Sequence, residues 1–68
     1  MSNNVYKTID VVGSSTESIE DAISRAIAKA SETIDNLNWF EVGDIRGHIA
    51  DGKIGHFQVG VKIGFRLN

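Results

Sequence analysis

The stretch HFQVGVKIGFRL, residues 56–67, decides the fold of this chain. Large apolar residues alternate through it with polar or small ones, which is typical of a β-strand with one buried face. We therefore expect a strand with its apolar face against a core and its other face free of that core. The apolar face comprises Phe57, Val59, Val61, Ile63, Phe65 and Leu67, and the opposite face comprises His56, Gln58, Gly60, Lys62, Gly64 and Arg66.

Two further strands are predicted upstream. Residues 50–53, ADGK, indicate a tight hairpin turn with Asp-Gly at its centre. This turn would join the last strand antiparallel to a strand at 38–49, the middle of the three along the chain. Residues 5–12, VYKTIDVV, are rich in β-branched side chains and predict a first strand that ends at Gly13.

A helix is predicted between the first two strands, over about residues 18–36. Its apolar residues recur at spacings of three and four, so that one stripe faces a sheet. Two capping boxes could begin it: Ser14 with Glu17, or Ser18 with Asp21.

The resulting order is β-α-β-β, an α+β fold in which one helix packs on one face of a three-stranded antiparallel sheet. Residues 1–68 form one domain, and so short a chain buries only about 60% of its unfolded surface. A 19-residue helix spans roughly 28 Å, whereas a 12-residue strand extends roughly 40 Å. The uncovered apolar strand surface predicts burial against other subunits.

Composition excludes several functional classes. The chain has no cysteine, which rules out disulfides and thiolate zinc sites and weakly favours a reducing compartment. No secretory signal or stretch long enough to span a bilayer is recognisable. The net charge of −2 argues against nucleic acid or anionic membrane as a partner. We expect a soluble cytoplasmic protein.

The segment NWFEVGDIRGH, residues 38–48, holds the only tryptophan. Its hydrophobic alternation changes phase at Gly43-Asp44, which predicts a β-bulge there. With that bulge, four side chains lie on the face away from the helix together with the polar face of the last strand, and they make a candidate site for a planar ligand. The four side chains are Trp39, Glu41, Arg46 and His48.

Simpler interpretations of these residues stay open. Trp39 could be an interface residue, and Gly60 and Gly64 could let a ligand or a second subunit approach closely. Arg46 and Arg66 could form ion pairs between subunits.

An enzymatic interpretation is the alternative from a different class of function. His48 or His56 would act as the acid–base of a small oligomeric enzyme. No nucleophile, phosphate loop or recognisable metal spacing accompanies either histidine.

Four motifs, WFEV at 39–42, IRG at 45–47, FQV at 57–59 and GFRL at 64–67, resemble the dodecins, a family of small flavin-binding proteins. The resemblance covers nearly the whole chain and implies a hollow homododecamer whose trimers meet at two-fold axes. Flavins would bind there in stacked pairs between tryptophans of two subunits. The resemblance assigns the stacking role to Trp39. It implies that Gln58 hydrogen-bonds the pyrimidine edge of the flavin.

The same resemblance implies flavin storage, buffering and photoprotection without catalytic turnover. Arg46 and Arg66 match bacterial-type positions and suit a phosphate, which favours FMN over riboflavin. Asp44 would contact polar parts of the ligand, and His48 takes a position that is acidic in archaeal relatives. Coenzyme A is a possible second ligand, as in some bacterial relatives.

Overall fold

The chain folds as one helix on a three-stranded antiparallel sheet. A computed structural model describes residues 3–67, with β1 at Val5–Ser15, α1 at Ile19–Ser31, β2 at Leu37–Ala50 and β3 at Lys53–Leu67. The strands lie in the order β1-β3-β2, so the last strand, and not the middle one along the chain, is central. The predicted α+β class and β-α-β-β order are confirmed.

The core lies between α1 and the central strand. Val59, Val61 and Ile63 of β3 are at most 1% exposed, as their alternation predicts. They meet a stripe of small residues on α1, and small side chains let the helix axis approach the sheet closely. The stripe consists of Ala22, Ala26 and Ala30.

The helix is shorter than predicted. The predicted range is about residues 18–36, but α1 ends at Ser31. Its 13 residues span only about 20 Å. The β-branched Thr33 and Ile34 follow, and their amides both bond the carbonyl of Ala30 in a closing turn. Asn36 then adopts a left-handed backbone with φ of 65°, which directs the chain into β2.

Of the two candidate caps, Ser18 begins the helix. Its hydroxyl accepts a 2.9 Å hydrogen bond from the amide of Asp21, whereas Ser14 lies within β1. The Asp21 carboxylate instead accepts bonds of 2.6 Å from Arg25 Nε and from the buried Ser15 hydroxyl. The Arg25 bond first, and then the Ser15 bond, hold the pKa of Asp21 below its ordinary value. This cluster attaches the first turn of α1 to the end of β1.

Gly13 marks a close approach of the helix and not the end of a strand. β1 continues through it to Ser15, three residues beyond the predicted range of 5–12. A Cβ at Gly13 would fall on the carbonyl oxygen of Ala22 and lie 3.1 Å from the Cβ of Ala26. The backbone of α1 occupies the space that a side chain would need.

The hairpin and the bulge both occur where they are predicted. Asp51 and Gly52 have positive φ of 53° and 72°, the pattern of a type I′ turn. The register between β2 and β3 shifts between Val42 and Ile45, at the Gly43-Asp44 step.

α1 packs on β1 and β3 and leaves the helix side of β2 uncovered. Phe40, Val42 and Ile45 pair with buried β3 residues, yet they are 50%, 38% and 54% exposed. The subunit is correspondingly long and thin, with extents of 55 × 20 × 14 Å. The apolar alternation of β2 therefore has no cover within one subunit.

We expect Gly13→Ala to destabilise the subunit by about 1–3 kcal/mol, since the new methyl group must displace helix backbone. Gly43→Ala is the matched control, because its Cβ would meet nothing closer than the Gly60 carbonyl oxygen at 3.5 Å. Urea or thermal denaturation of both variants measures the difference. Equal stability of the two would show that α1 can move away from β1 at no cost.

Candidate functional site

The sheet face away from α1, called the open face below, is organised by strand register. Directly paired residues point to the same side, so each row of partners forms one band across the face. The predicted placement of the polar β3 residues away from the core follows from this register. From one end the rows are Tyr6–Arg66, Thr8–Gly64–Trp39, Asp10–Lys62–Glu41, Val12–Gly60, Ser14–Gln58–Arg46 and His56–His48.

The indole of Trp39 lies over Gly64, its partner in the register, which has no side chain. A Cβ at Gly64 would fall among the indole atoms Cε2, Cζ2 and Nε1, so the ring occupies that space. Gly64 is buried beneath it, while Trp39 stays 39% exposed. The gap at Gly64, which the sequence left to a ligand or a second subunit, is filled by the chain's own tryptophan. The indole thus covers Gly64 and stays partly exposed to solvent.

The bulge forms a shallow cleft of about 360 Å³ in the middle of the open face. Its floor is Gly60, where a Cβ would lie 3.5 Å from the amide of Asp44. Arg46 Nη2 lies 3.6 Å from Asp44 Oδ2, an exposed ion pair that solvent weakens. The cleft offers carboxylates and cations together, and its charged lining residues are Asp10, Glu41, Asp44, Arg46 and Lys62.

The predicted site residues fall into two separate groups within one subunit. Trp39 is level with Gly64, whereas Arg46 is level with Gln58. The two rows are six positions apart along β3, which is roughly 20 Å of extended chain. Arg66 lies beyond the tryptophan, and Asp44 lies between the groups. We call the two groups the tryptophan end and the glutamine end.

His48 belongs to the glutamine end and stacks on His56. The two ring centroids are 5.1 Å apart and their planes are inclined by 13°. Within residues 3–67, no group of three or more histidine, cysteine or acidic side chains is placed to hold a metal ion.

Sequence reasoning missed the contribution of β1 to the open face. The register places five β1 side chains in the rows described above, and their alternation with Ile9 and Val11 was a usable signal. The missed residues are Tyr6, Thr8, Asp10, Val12 and Ser14.

The only helix among the described residues is too short and too polar to cross a membrane.

Comparisons with known proteins agree on one family. The family model described as Dodecin matches residues 5–68. The dodecin of Thermus thermophilus is 46% identical over 63 residues, covering 93% of this chain and 91% of that protein. The solved dodecin of Streptomyces davaonensis is 49% identical, with a TM-score of 0.94 and 98% of each chain covered.

A more distant structure carries a different ligand in its name. It is the calcium dodecin of Mycobacterium tuberculosis, described as a calcium-chelating antigen with a novel calcium-binding site. It is 28% identical, with a TM-score of 0.82 over 94% of this chain and 91% of that one. On the family model, the close relative and the shared fold together, this chain belongs to the dodecin family.

Proposed function

We propose that the protein stores and buffers flavin at sites that two subunits build together, and that it quenches the excited state of the bound flavin. Trp39 would stack on the isoalloxazine and Gln58 would hydrogen-bond its pyrimidine edge. The observation that carries this proposal is the indole of Trp39, which lies over Gly64 on the open face and is 39% exposed.

The stacking surface is preorganised. Indole presents a large π-face, and offset stacking contributes roughly 0.5–1.5 kcal/mol beyond area burial. Because the indole already rests on Gly64, little side-chain freedom remains to be lost when a flat ligand binds. Electron-rich indole in contact with an excited flavin would also quench it by electron transfer.

Gln58 supplies the complementary polar contact. Its amide has both an acceptor and a donor, which matches the adjacent C=O and N–H groups of a flavin's pyrimidine ring. Among residues 3–67, no side-chain hydrogen bond engages this amide. The group is therefore free to bind a ligand.

The distance between the two ends supports a site shared by two subunits. Roughly 20 Å of strand between the rows of Trp39 and Gln58 is longer than a flavin ring system, so one subunit cannot supply both contacts. A two-fold axis would place the tryptophan end of one copy against the glutamine end of another and would repeat the site twice. Stacked flavin pairs follow from this symmetry.

Uncovered surfaces at opposite edges of the subunit support a larger assembly. β1 and β2 are the edge strands; an apolar groove of about 780 Å³ runs between β1 and α1, and the bare helix side of β2 lies at the other edge. If these two different surfaces contact each other, the contacts are head-to-tail, and they close into a ring when the rotation between subunits closes. Rings joined through the open faces would give the expected homododecamer.

The two arginines expected to favour FMN over riboflavin, Arg46 and Arg66, lie far apart within one subunit. Arg46 is level with Gln58 and Arg66 is level with Tyr6, so one subunit cannot bring both to one phosphate. Arg46 is engaged with Asp44, whereas no ion pair within residues 3–67 involves Arg66. His48, beside Arg46, would line the glutamine end.

Dodecins are small binding proteins, so the chain is not an enzyme and the acid–base alternative with His48 or His56 is not favoured. The binding of riboflavin, the binding of coenzyme A and a cytoplasmic location all remain predictions.

We expect native mass spectrometry to show about twelve subunits, and Ile45→Lys to shift the protein toward smaller species. The substitution puts a charge on the bare helix side of β2, where desolvation on assembly would be costly. Glu20→Lys, on the exposed face of α1, is the control and should assemble as the parent does. A parent protein that is a stable monomer at micromolar concentration would contradict the assembly.

Trp39→Phe should keep part of the flavin affinity while recovering much of the flavin fluorescence, because phenyl stacks but is a poorer electron donor. Gln58→Ala should do the reverse, weakening binding through unpaired ring-edge groups while bound flavin stays dark. Titration calorimetry and emission quantum yields measure both quantities. A Trp39→Phe protein that binds and quenches as fully as the parent would remove the indole from the mechanism.

Gly64→Ala should weaken flavin binding even though no ligand contact is assigned to Gly64. The methyl group would enter the space of the indole and tilt it away from the stacking position. Gly60→Ala is the matched control on the same face of the same strand, because its Cβ would make only ordinary contacts at 3.5 Å and 3.6 Å with Asp44. Equal flavin affinity of the two variants would show that the position of the indole does not matter.

A further inference from the structure

We propose that His48 and His56 form a chelating pair for a divalent transition-metal ion such as Zn²⁺, Ni²⁺ or Cu²⁺. The inference starts from strand register and does not depend on flavin binding. β2 and β3 place the two residues directly opposite each other, although eight positions separate them along the chain. That spacing is not a recognisable metal motif, which is why the sequence alone did not reveal the pair.

The geometry of the imidazoles suits a shared ion. Directly opposed residues hold their Cβ atoms about 4.5–5.5 Å apart, and here the ring centroids are 5.1 Å apart with nearly parallel planes. Modest rotation about the side-chain torsions, which are broad for imidazole, would turn one nitrogen of each ring toward a common point. Metal–nitrogen bonds of about 2.0–2.1 Å are within reach of such a pair.

Within the single subunit, both imidazoles are available for ligation. His48 is exposed and His56 half-buried. No side-chain hydrogen bond or ion pair among residues 3–67 uses either ring. Stacking with each other is the only aromatic contact that the described part of the chain gives them.

The donors decide the class of metal. Imidazole nitrogen suits Zn²⁺, Cu²⁺ and Ni²⁺, and divalent affinity rises toward Cu²⁺. Ca²⁺ and Mg²⁺ prefer oxygen ligands, so this pair differs in chemistry from the calcium site named for the mycobacterial relative. Two protein ligands leave the remaining coordination positions to water.

One charged neighbour, Arg46, would oppose the binding of a metal cation. The adjacent row holds the cation Arg46 and the neutral Gln58. Arg46 is half-exposed and pairs with Asp44 at 3.6 Å, so solvent and the carboxylate weaken its repulsion of a bound ion.

Equilibrium dialysis of untagged protein against Zn²⁺ or Ni²⁺ tests the pair, and electron paramagnetic resonance of the Cu²⁺ form counts the ligating nitrogens. We expect one ion per subunit with two equivalent nitrogens. His48→Gln and His56→Gln should each lower affinity by about 100-fold, because each abolishes the effective concentration that makes the second bond favourable. The double variant should lose little more than either single one.

Asp51→Asn, at the hairpin turn, is the control and should bind metal as the parent does. Excess Ca²⁺ should not displace the ion. Three outcomes would each overturn the pair as a chelate. They are metal binding that survives both histidine substitutions, losses of affinity that add independently in the double variant, and displacement of the ion by Ca²⁺. Circular dichroism and native mass spectrometry of the variants exclude unfolding as the cause of any loss, since both side chains lie outside the core.

Discussion

One short helix on one long sheet is the constraint from which the other properties of this subunit follow. α1 has 13 residues and covers about 20 Å, whereas the central strand has 15 residues. The helix can bury Val59, Val61 and Ile63, but it reaches neither the ends of the sheet nor the helix side of β2. The close contact at Gly13 brings this small helix onto the sheet, and the apolar residues of β2 stay exposed within one chain.

The same constraint leaves the open face without cover from the chain. The paired rows of this face place the indole of Trp39 toward one end and the amide of Gln58 toward the other. A globular enzyme would gather such groups in one cleft, but a flat sheet keeps them as far apart as their register dictates. In the proposed assembly, symmetry between subunits would bring them together. The separation of Trp39 and Gln58 thus connects the proposed function to the proposed assembly.

Glycines at three places on the sheet have three different physical causes. At Gly13 the backbone of α1 occupies the side-chain space, and at Gly64 the indole of Trp39 does so. At Gly52 a left-handed φ of 72° closes the hairpin turn. Only the last of these is visible as a local motif, because the other two depend on segments that are distant along the chain.

By itself, the sequence determined the features that local periodicity encodes. The alternation of residues 56–67 predicted the buried face of β3, Asp-Gly predicted the hairpin turn, and the phase change at Gly43-Asp44 predicted the bulge. The four motifs of the resemblance predicted the family, since their order and spacing are specific in combination. These properties require only the period of a strand or the preference of a turn.

The tertiary structure alone determined the properties that depend on which strands are neighbours in the sheet. It ended α1 at Ser31, where the amides of Thr33 and Ile34 close the last turn on the carbonyl of Ala30, and it extended β1 past Gly13. Pairing of β2 with β3 set Trp39 apart from Gln58 and brought His48 against His56. Distances across a sheet follow from register, and register is fixed by cooperative burial of a whole face, which no single stretch of the chain contains.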